Sequence, residues 1–227
     1  NTPLRAFFGD FLTPSRHRKN YPIALLDDQV NLDQLLAIHK TLKHPITYVQ
    51  GPPGTGKTKT IVNTIISAFF NNRTVLLSSQ NNHPVNGAFK LLTNITVEDK
   101  IVPFPILRLG NNEVVKRSIQ YIKKLFEYTK NWTIKDKALD DFTEIKIENT
   151  ANLAKYLESY EDKLDLLERK ETIEDFLERN TIFDFSVNLQ SKQLNTIEKK
   201  IANIEDISDE KAKSFLPNDH ERFLYYL

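Results

Sequence analysis

Cysteine does not occur anywhere in this chain of 227 residues, which excludes disulfides, thiolate metal sites and cysteine nucleophiles together. A cytoplasmic location is therefore expected. Methionine is missing as well, which is unusual for a chain of this length built from otherwise ordinary residues. No apolar run approaches the roughly 18 residues of a membrane span, and no signal peptide is visible at the start. A soluble globular protein with no membrane contact is the expectation, and 40% hydrophobic residues suffice for a core. The five histidines, His17, His39, His44, His83 and His220, form neither an H-x-x-x-H nor an H-E-x-x-H pattern, so no zinc site is expected.

Glycine is scarce, with six residues in all, and three of them sit together at Gly51, Gly54 and Gly56. The stretch Gly51-Pro52-Pro53-Gly54-Thr55-Gly56-Lys57-Thr58-Lys59 fits the phosphate-binding pattern G-x-x-x-x-G-K-[ST]. Its context fits too: an apolar, β-rich run precedes it at Ile46 to Val49, and a helix-like run follows it at Thr60 to Phe70. Backbone N–H groups can wrap a polyphosphate only where side chains leave the approach open, which is the use of glycine here. The two prolines stiffen the loop. Lys57 supplies a point charge for the β and γ phosphates, the Thr58 hydroxyl a ligand for Mg²⁺, and the start of the following helix adds attraction for anions.

The net charge of +1 hides a split. Residues 1–112 carry 12 basic and 6 acidic side chains, a net of +6, whereas residues 113–227 carry 19 and 24, a net of −5. The basic charge thus travels with the loop, which is compatible with a nucleic-acid partner.

Residues 1 to 31, with Pro3, Pro14 and Pro22, the aromatics Phe7, Phe8 and Phe11 and the basic run Arg16 to Lys19, read as a short apolar helix followed by an irregular connector. The run Ile23 to Asp28 resembles an apolar strand ending in acids. It precedes the loop, the wrong side for the Mg²⁺-holding strand of P-loop enzymes, and is discounted in that role. Asn31 to Leu42 has helical spacing and is closed by Pro45. Gln34, near its start, could offer one donor and one acceptor to the edge of adenine, or could simply lie on the wet face of the helix. Thr74 to Ser79 reads as a buried strand, Val85 to Leu92 as a helix and Pro105 to Leu109 as a further strand. This order predicts right-handed βαβ crossover and a parallel sheet.

After Gly110, the last glycine, the composition becomes helix-forming. Leu153, Leu157, Tyr160, Leu164 and Leu167 recur at spacings of 4 and 3, as do Val187, Gln190, Leu194, Ile197, Ile201 and Ile204. Two long helices in an antiparallel, coiled-coil-like hairpin are predicted over about 149–206, with a turn at Asn180 to Ser186 and an apolar tip at Ile182 to Phe185 suited to a protein partner.

Asn31-Leu32-Asp33-Gln34, the GPPGTGKT loop, Val75 to Asn86 as VLLSSQNNHPVN and Leu107-Arg108-Leu109-Gly110 together resemble the first RecA-like domain of superfamily 1 helicases of the Upf1-like (DNA2/NAM7) group, over about residues 23–112. The resemblance implies an α/β P-loop fold, ATP and Mg²⁺ as ligands, single-stranded DNA or RNA as partner and ATP-dependent helicase activity in the full-length protein. It places nucleotide contacts on Gly54 to Thr58 and Gln34, and nucleic-acid contacts on Ser79, Asn81 and Asn82. The family pattern has proline at position 80 and aspartate at position 86, where this chain has Gln80 and Asn86.

Residues 1–112 are thus expected to form an incomplete RecA-like ATP-binding domain with its N-terminal connector. Residues 113–227 look like a helical insertion inside which the chain stops, since no later apolar strand ends in Asp-Glu. The rival readings are a nucleotide-dependent switch or scaffold that uses the helical arm, and a small-molecule kinase. The glutamine motif speaks against the kinase.

Overall fold

A computed structural model of the chain describes residues 8–9, 19–26, 29–97, 100–101, 104–130, 136–179, 185–204 and 206–216. Seven helices carry the architecture of these residues: α1 (Leu32–Lys43), α2 (Lys57–Phe70), α3 (Asn82–Thr93), α4 (Asn112–Thr129), α5 (Asp136–Arg179), α6 (Phe185–Asn203) and α7 (Asp209–Lys213). Among them, strand is confined to β1 (Thr96–Val97) and β2 (Lys100–Ile101), an antiparallel pair with Thr96 opposite Ile101. None of these helices is long and apolar enough to cross a membrane.

The expected α/β fold with a RecA-like parallel sheet is therefore corrected. Ile46 to Val49, Thr74 to Ser79 and Pro105 to Leu109, the three runs expected to build it, have no regular structure and no backbone hydrogen bond between them. A parallel strand is buried on both faces, yet Tyr48 is 84% and Leu76 86% exposed. β-branched, apolar residues favour a pleated, half-buried environment, but without a neighbouring ladder that preference makes no strand. The apolar faces of α2 and α3 are buried against each other, against Phe104, Leu77 and Ile106, and against a strand-like run discounted only as the Mg²⁺-holding one.

That run is Ile23 to Leu26. Ile23 and Leu25 belong to one core with α1 and the base of α5, while Ala24 is buried in a second with Val62, Ile66, Ala88 and Leu92. Alternate residues thus serve opposite cores. Polar side chains of α2 hold the backbone in place of a sheet neighbour: Ala24 N donates to Ser67 Oγ (3.0 Å), Ser67 Oγ donates to Ala24 O (2.7 Å), and Leu26 N donates to Asn63 Oδ1 (2.8 Å). Asn63 and Ser67 are buried, so these bonds satisfy groups that would otherwise be costly to desolvate. Helix α2 ends where Asn72 takes a left-handed φ of 55°, and Arg73 N returns to Ala68 O. Residues 1–7 and 10–18, where a short N-terminal helix was expected, lie outside the described residues, as do Asp27 and Asp28.

Helix α1 begins in a capping box. Gln34 N donates to Asn31 Oδ1 (2.9 Å) and Asn31 N to Gln34 Oε1 (3.3 Å), while Leu32 N is met by Asp209 Oδ1 of α7 (2.8 Å). One face buries Leu35, Leu36, Ile38 and Leu42, each burial contributing about 1.5–3 kcal/mol. Against it packs α5 through Leu153, Tyr156 and Leu157. Tyr160 donates to Asp33 (2.7 Å), and Lys40 and Lys43 pair with Glu161 and Glu158 at the rim.

Helices α5 and α6 run antiparallel: Lys170 meets Glu198 of α6 (3.0 Å), and farther down α5 Tyr156 meets Ser208, in the chain that follows α6. α5 starts at Asp136, well before residue 149, and its base is sealed into the α1 core instead of packing only on its partner arm. Toward the far end Leu164, Leu167 and Leu189 are 38–47% exposed, as a narrow stripe on a projecting arm would be. Residues 180–184, with most of the expected turn and tip, lie outside the described residues.

His39 is buried in the α1 core, and its Nε2 has no hydrogen-bond partner. Desolvation, reinforced by Lys43 and His44 and opposed by Glu158 and Glu161, lowers its pKa from 6.5 to about 4. Between those values the unfolded chain binds the proton and the native one does not, so stability is full above pH 6.5 and falls as the pH drops toward 4. The loss approaches about 3 kcal/mol at the bottom of the window. Urea titrations of the wild type and His39→Leu between pH 7 and 4 should show the variant losing this part of the slope; parallel slopes would mean that His39 is protonated in the native state.

Candidate nucleotide-binding site

The loop from Gly51 to Gly56 joins an irregular segment to α2, and its shape depends on glycine at two kinds of position. Gly54 and Gly56 have φ of 89° and 77°, which side-chain-bearing residues adopt at a cost. At Gly51 the reason is space, since a Cβ there would lie 2.7 Å from Thr55 Oγ1. Gly56 combines both constraints, because its Cβ would lie 2.6 Å from Gln34 Nε2.

Hydrogen bonds close the loop on itself. Thr55 Oγ1 donates to Pro52 O (2.9 Å), and Lys57 Nζ donates to Gly51 O (2.5 Å) and Pro52 O (2.6 Å). Pro53 is exposed at the turn. Gly56 is the N-cap of α2 and offers no side-chain cap, so the positive end of the helix dipole lies at the loop. Thr58 is exposed, its methyl toward α3, where a Cβ on Gly87 would lie 3.7 Å away. Lys59 reaches Gln29 Oε1 (3.1 Å).

Gln34 is part of this loop assembly. Its Nε2 donates to Thr55 O (3.0 Å) while its Oε1 completes the α1 capping box. The amide thus joins α1 to the loop.

Ser79, Asn81 and Asn82 lie together at the start of α3, where Asn81 N donates to Ser79 Oγ (3.3 Å). Arg108, which sequence analysis noted only as part of a segment, extends across to this corner: Nη2 donates to Asn82 Oδ1 (2.9 Å) and Nε to Asn86 Oδ1 (3.4 Å). Only their separation in sequence hid the connection. The signal that could have found it was a lone arginine closing an apolar run.

A family model described as an AAA domain matches residues 29–220. The chain belongs to that AAA domain family. The family is of helicase-type P-loop NTPases, which generally bind ATP with Mg²⁺ and bind nucleic acid. The matched span takes in both the loop and the hairpin, so in this AAA domain α5 and α6 fall within the family's own region. No curated protein and no solved structure matches the chain.

The residues present fit a nucleoside triphosphate with Mg²⁺. The loop has no room for a Cβ at Gly51 or Gly56, leads into the N-terminus of α2 without a side-chain cap, and offers a cation at Lys57 and an exposed residue, Thr58, with a hydroxyl. Mg²⁺ needs few protein ligands when phosphates and water supply the rest.

Two alanine substitutions separate backbone strain from crowding. Gly54→Ala meets nothing within 4 Å and adds only the positive-φ cost, about 1–2 kcal/mol. Gly56→Ala adds the same cost and also displaces the Gln34 amide, forfeiting a further ~1 kcal/mol with the Thr55 bond. Urea denaturation should therefore rank Gly56→Ala below Gly54→Ala in stability, and the reverse order would contradict the Gln34 tether.

Proposed function

We propose that this AAA domain is the ATP-binding part of a superfamily 1 helicase or translocase of the Upf1-like group, which couples ATP hydrolysis to movement on single-stranded nucleic acid. The observation that carries this reading is the bond from Gln34 Nε2 to Thr55 O, because it holds an adenine-reading amide at a set distance from a phosphate-binding loop. Beyond its two structural bonds the amide retains one hydrogen on Nε2 and one lone pair on Oε1, the donor and acceptor that the adenine edge requires.

Gly51 to Gly56 supply backbone room for the phosphates, Pro52 and Pro53 limit the loop's freedom, and the N-terminus of α2 attracts the phosphate charge through its dipole. Lys57 exchanges the Gly51 and Pro52 carbonyls for phosphate oxygens, a stronger, charge-assisted pairing. Thr58 would be the residue to hold Mg²⁺ through its hydroxyl, and Lys59 adds positive charge. Mg²⁺ held there with the nucleotide would supply charge neutralisation for the phosphates. Ser79, Asn81 and Asn82 contact the strand.

A second reading, a nucleotide-dependent switch acting through the hairpin on a protein partner, is favoured by a separate observation. Helix α1 is bonded to the loop through Gln34 and to the arm through Asp33 and Tyr160. Stimulation of ATP turnover by single-stranded DNA or RNA separates the two, since a switch has no reason to respond.

Lys57→Ala should abolish tight MgATP binding in calorimetry while leaving the circular dichroism spectrum unchanged, because Lys57 is exposed and outside both cores. Micromolar affinity in that variant would sink the phosphate assignment. Gln34→Ala should reduce the preference for ATP over UTP by about tenfold, the worth of one lost hydrogen-bonding edge; an unchanged ratio would leave Gln34 as a structural tether only.

A further inference from the structure

Arg108 has no role in the reading so far. Its backbone is secured without its side chain: Arg108 N donates to Ser118 Oγ (3.2 Å), Ser118 Oγ donates back to Arg108 O (3.0 Å), and Ser118 is 2% exposed in α4. Nearby, Tyr121 OH donates to Phe104 O (3.0 Å), anchoring the same segment a second time. The guanidinium is therefore free of the task of holding residues 104–109 in place. Its three bonds go to Asn82 Oδ1, Asn86 Oδ1 and Leu109 O, all neutral acceptors, and among the described residues no carboxylate pairs with it.

A guanidinium donates and never accepts. Both asparagines must accordingly turn their carbonyl oxygens to Arg108 and their NH₂ groups away from it. Residues 82 and 86 lie one turn apart on a single face of α3. The result is two amide donors on one face, beside an uncompensated positive charge. An aspartate at position 86 would give Arg108 an ion pair and offer no donor, so this property belongs to the asparagine that this chain carries.

We propose that Arg108 is a positioning residue of the nucleic-acid contact: by clasping the carbonyls of Asn82 and Asn86 it presents their amide donors to the phosphodiester oxygens of a single strand. The proposal rests on the helicase reading above and adds Asn86 and Arg108 to the contact surface. It assigns Arg108 an indirect action, which separates it from a lysine-like point charge that touches phosphate itself.

Fluorescence anisotropy with labelled oligo(dT) and oligo(U), over a range of salt, tests it. Arg108→Gln should weaken binding about tenfold, and Arg108→Lys nearly as much, since an ammonium cannot reproduce the planar fork. The slope of log affinity against log salt should stay at the wild-type value, because no phosphate-neutralising charge is lost. In an Asn82→Ala, Asn86→Ala background Arg108→Gln should cost nothing further, as expected for residues acting as one unit. Asn82→Asp, which keeps the clasp as an ion pair but replaces the outward donor with a carboxylate oxygen, should weaken binding without lowering the melting temperature and with fluorescent-ATP affinity unchanged.

The proposal is overturned if Arg108→Lys binds like the wild type while Arg108→Gln lowers the salt slope by about one, the mark of a direct phosphate contact. It is also overturned if the losses are additive. Failure of the wild type to bind either oligonucleotide while it binds ATP would overturn the nucleic-acid reading itself, and this proposal with it. Equal effects on both oligonucleotides identify the phosphodiester as what is recognised; an effect on oligo(U) alone would move the contact to the ribose hydroxyl and count against it.

Discussion

A single amide links the parts of this molecule that chemistry would need to coordinate. Gln34 completes the capping box at the start of α1 with one end and bonds the carbonyl of Thr55 with the other. Neither bond is strong alone, at about 1 kcal/mol each. Their joint effect is geometric, because the cap sets where α1 begins and the tether sets the loop relative to that point. The tight fit at Gly56 follows from this, since the amide occupies the space that a side chain there would need. So does the position of the hairpin, whose base is buried on the opposite side of the same helix.

The second organising feature is a strand-like run served by a helix instead of a sheet. Ile23 to Leu26 divides the two cores by alternating its side chains, and Asn63 and Ser67 supply the hydrogen bonds that a neighbouring strand would otherwise make. Burying polar side chains is costly unless they are paired, and here the pairing is what places the run. Asn71 extends the same arrangement by donating to Pro22 O (2.8 Å), and the Arg73 guanidinium lies over the Tyr21 ring.

What was legible in the sequence was local. The starts and ends of α1, α2 and α3 were read to within a few residues, because Asn31, Pro45 and the loop glycines act on their own neighbourhoods. The hairpin was legible from the 4 and 3 spacing of its leucines and isoleucines, which depends only on helical period. The backbone demands of the loop, glycine at Gly54 and Gly56 above all, were legible for the same reason. What failed was long-range: apolar β-rich runs at 46–49, 74–79 and 105–109 implied a sheet, but pairing is decided by neighbours distant in sequence, and here those runs stay unpaired and largely exposed. How the run Ile23 to Leu26 is held was not legible, because its backbone bonds to Asn63 and Ser67 of α2, polar side chains distant in sequence that leave no hydrophobic signature. Gln34 was read as either a base reader or a wet surface residue, and neither anticipated its bond to the loop. Arg108 was missed as a clasp because asparagines more than twenty positions away define it.

The ties between α1 and α5 give the arm mechanical leverage. The outermost of them is the pair Lys40 to Glu161, and α5 continues from there to Arg179, a reach of roughly 27 Å at 1.5 Å per residue. Any tilt imposed on α1 is therefore magnified along the arm: about 10° at the base carries the far end through roughly 5 Å, on the scale of a full helical turn. A displacement too small to disturb the packing around Leu35 and Leu157 would be conspicuous at Arg179.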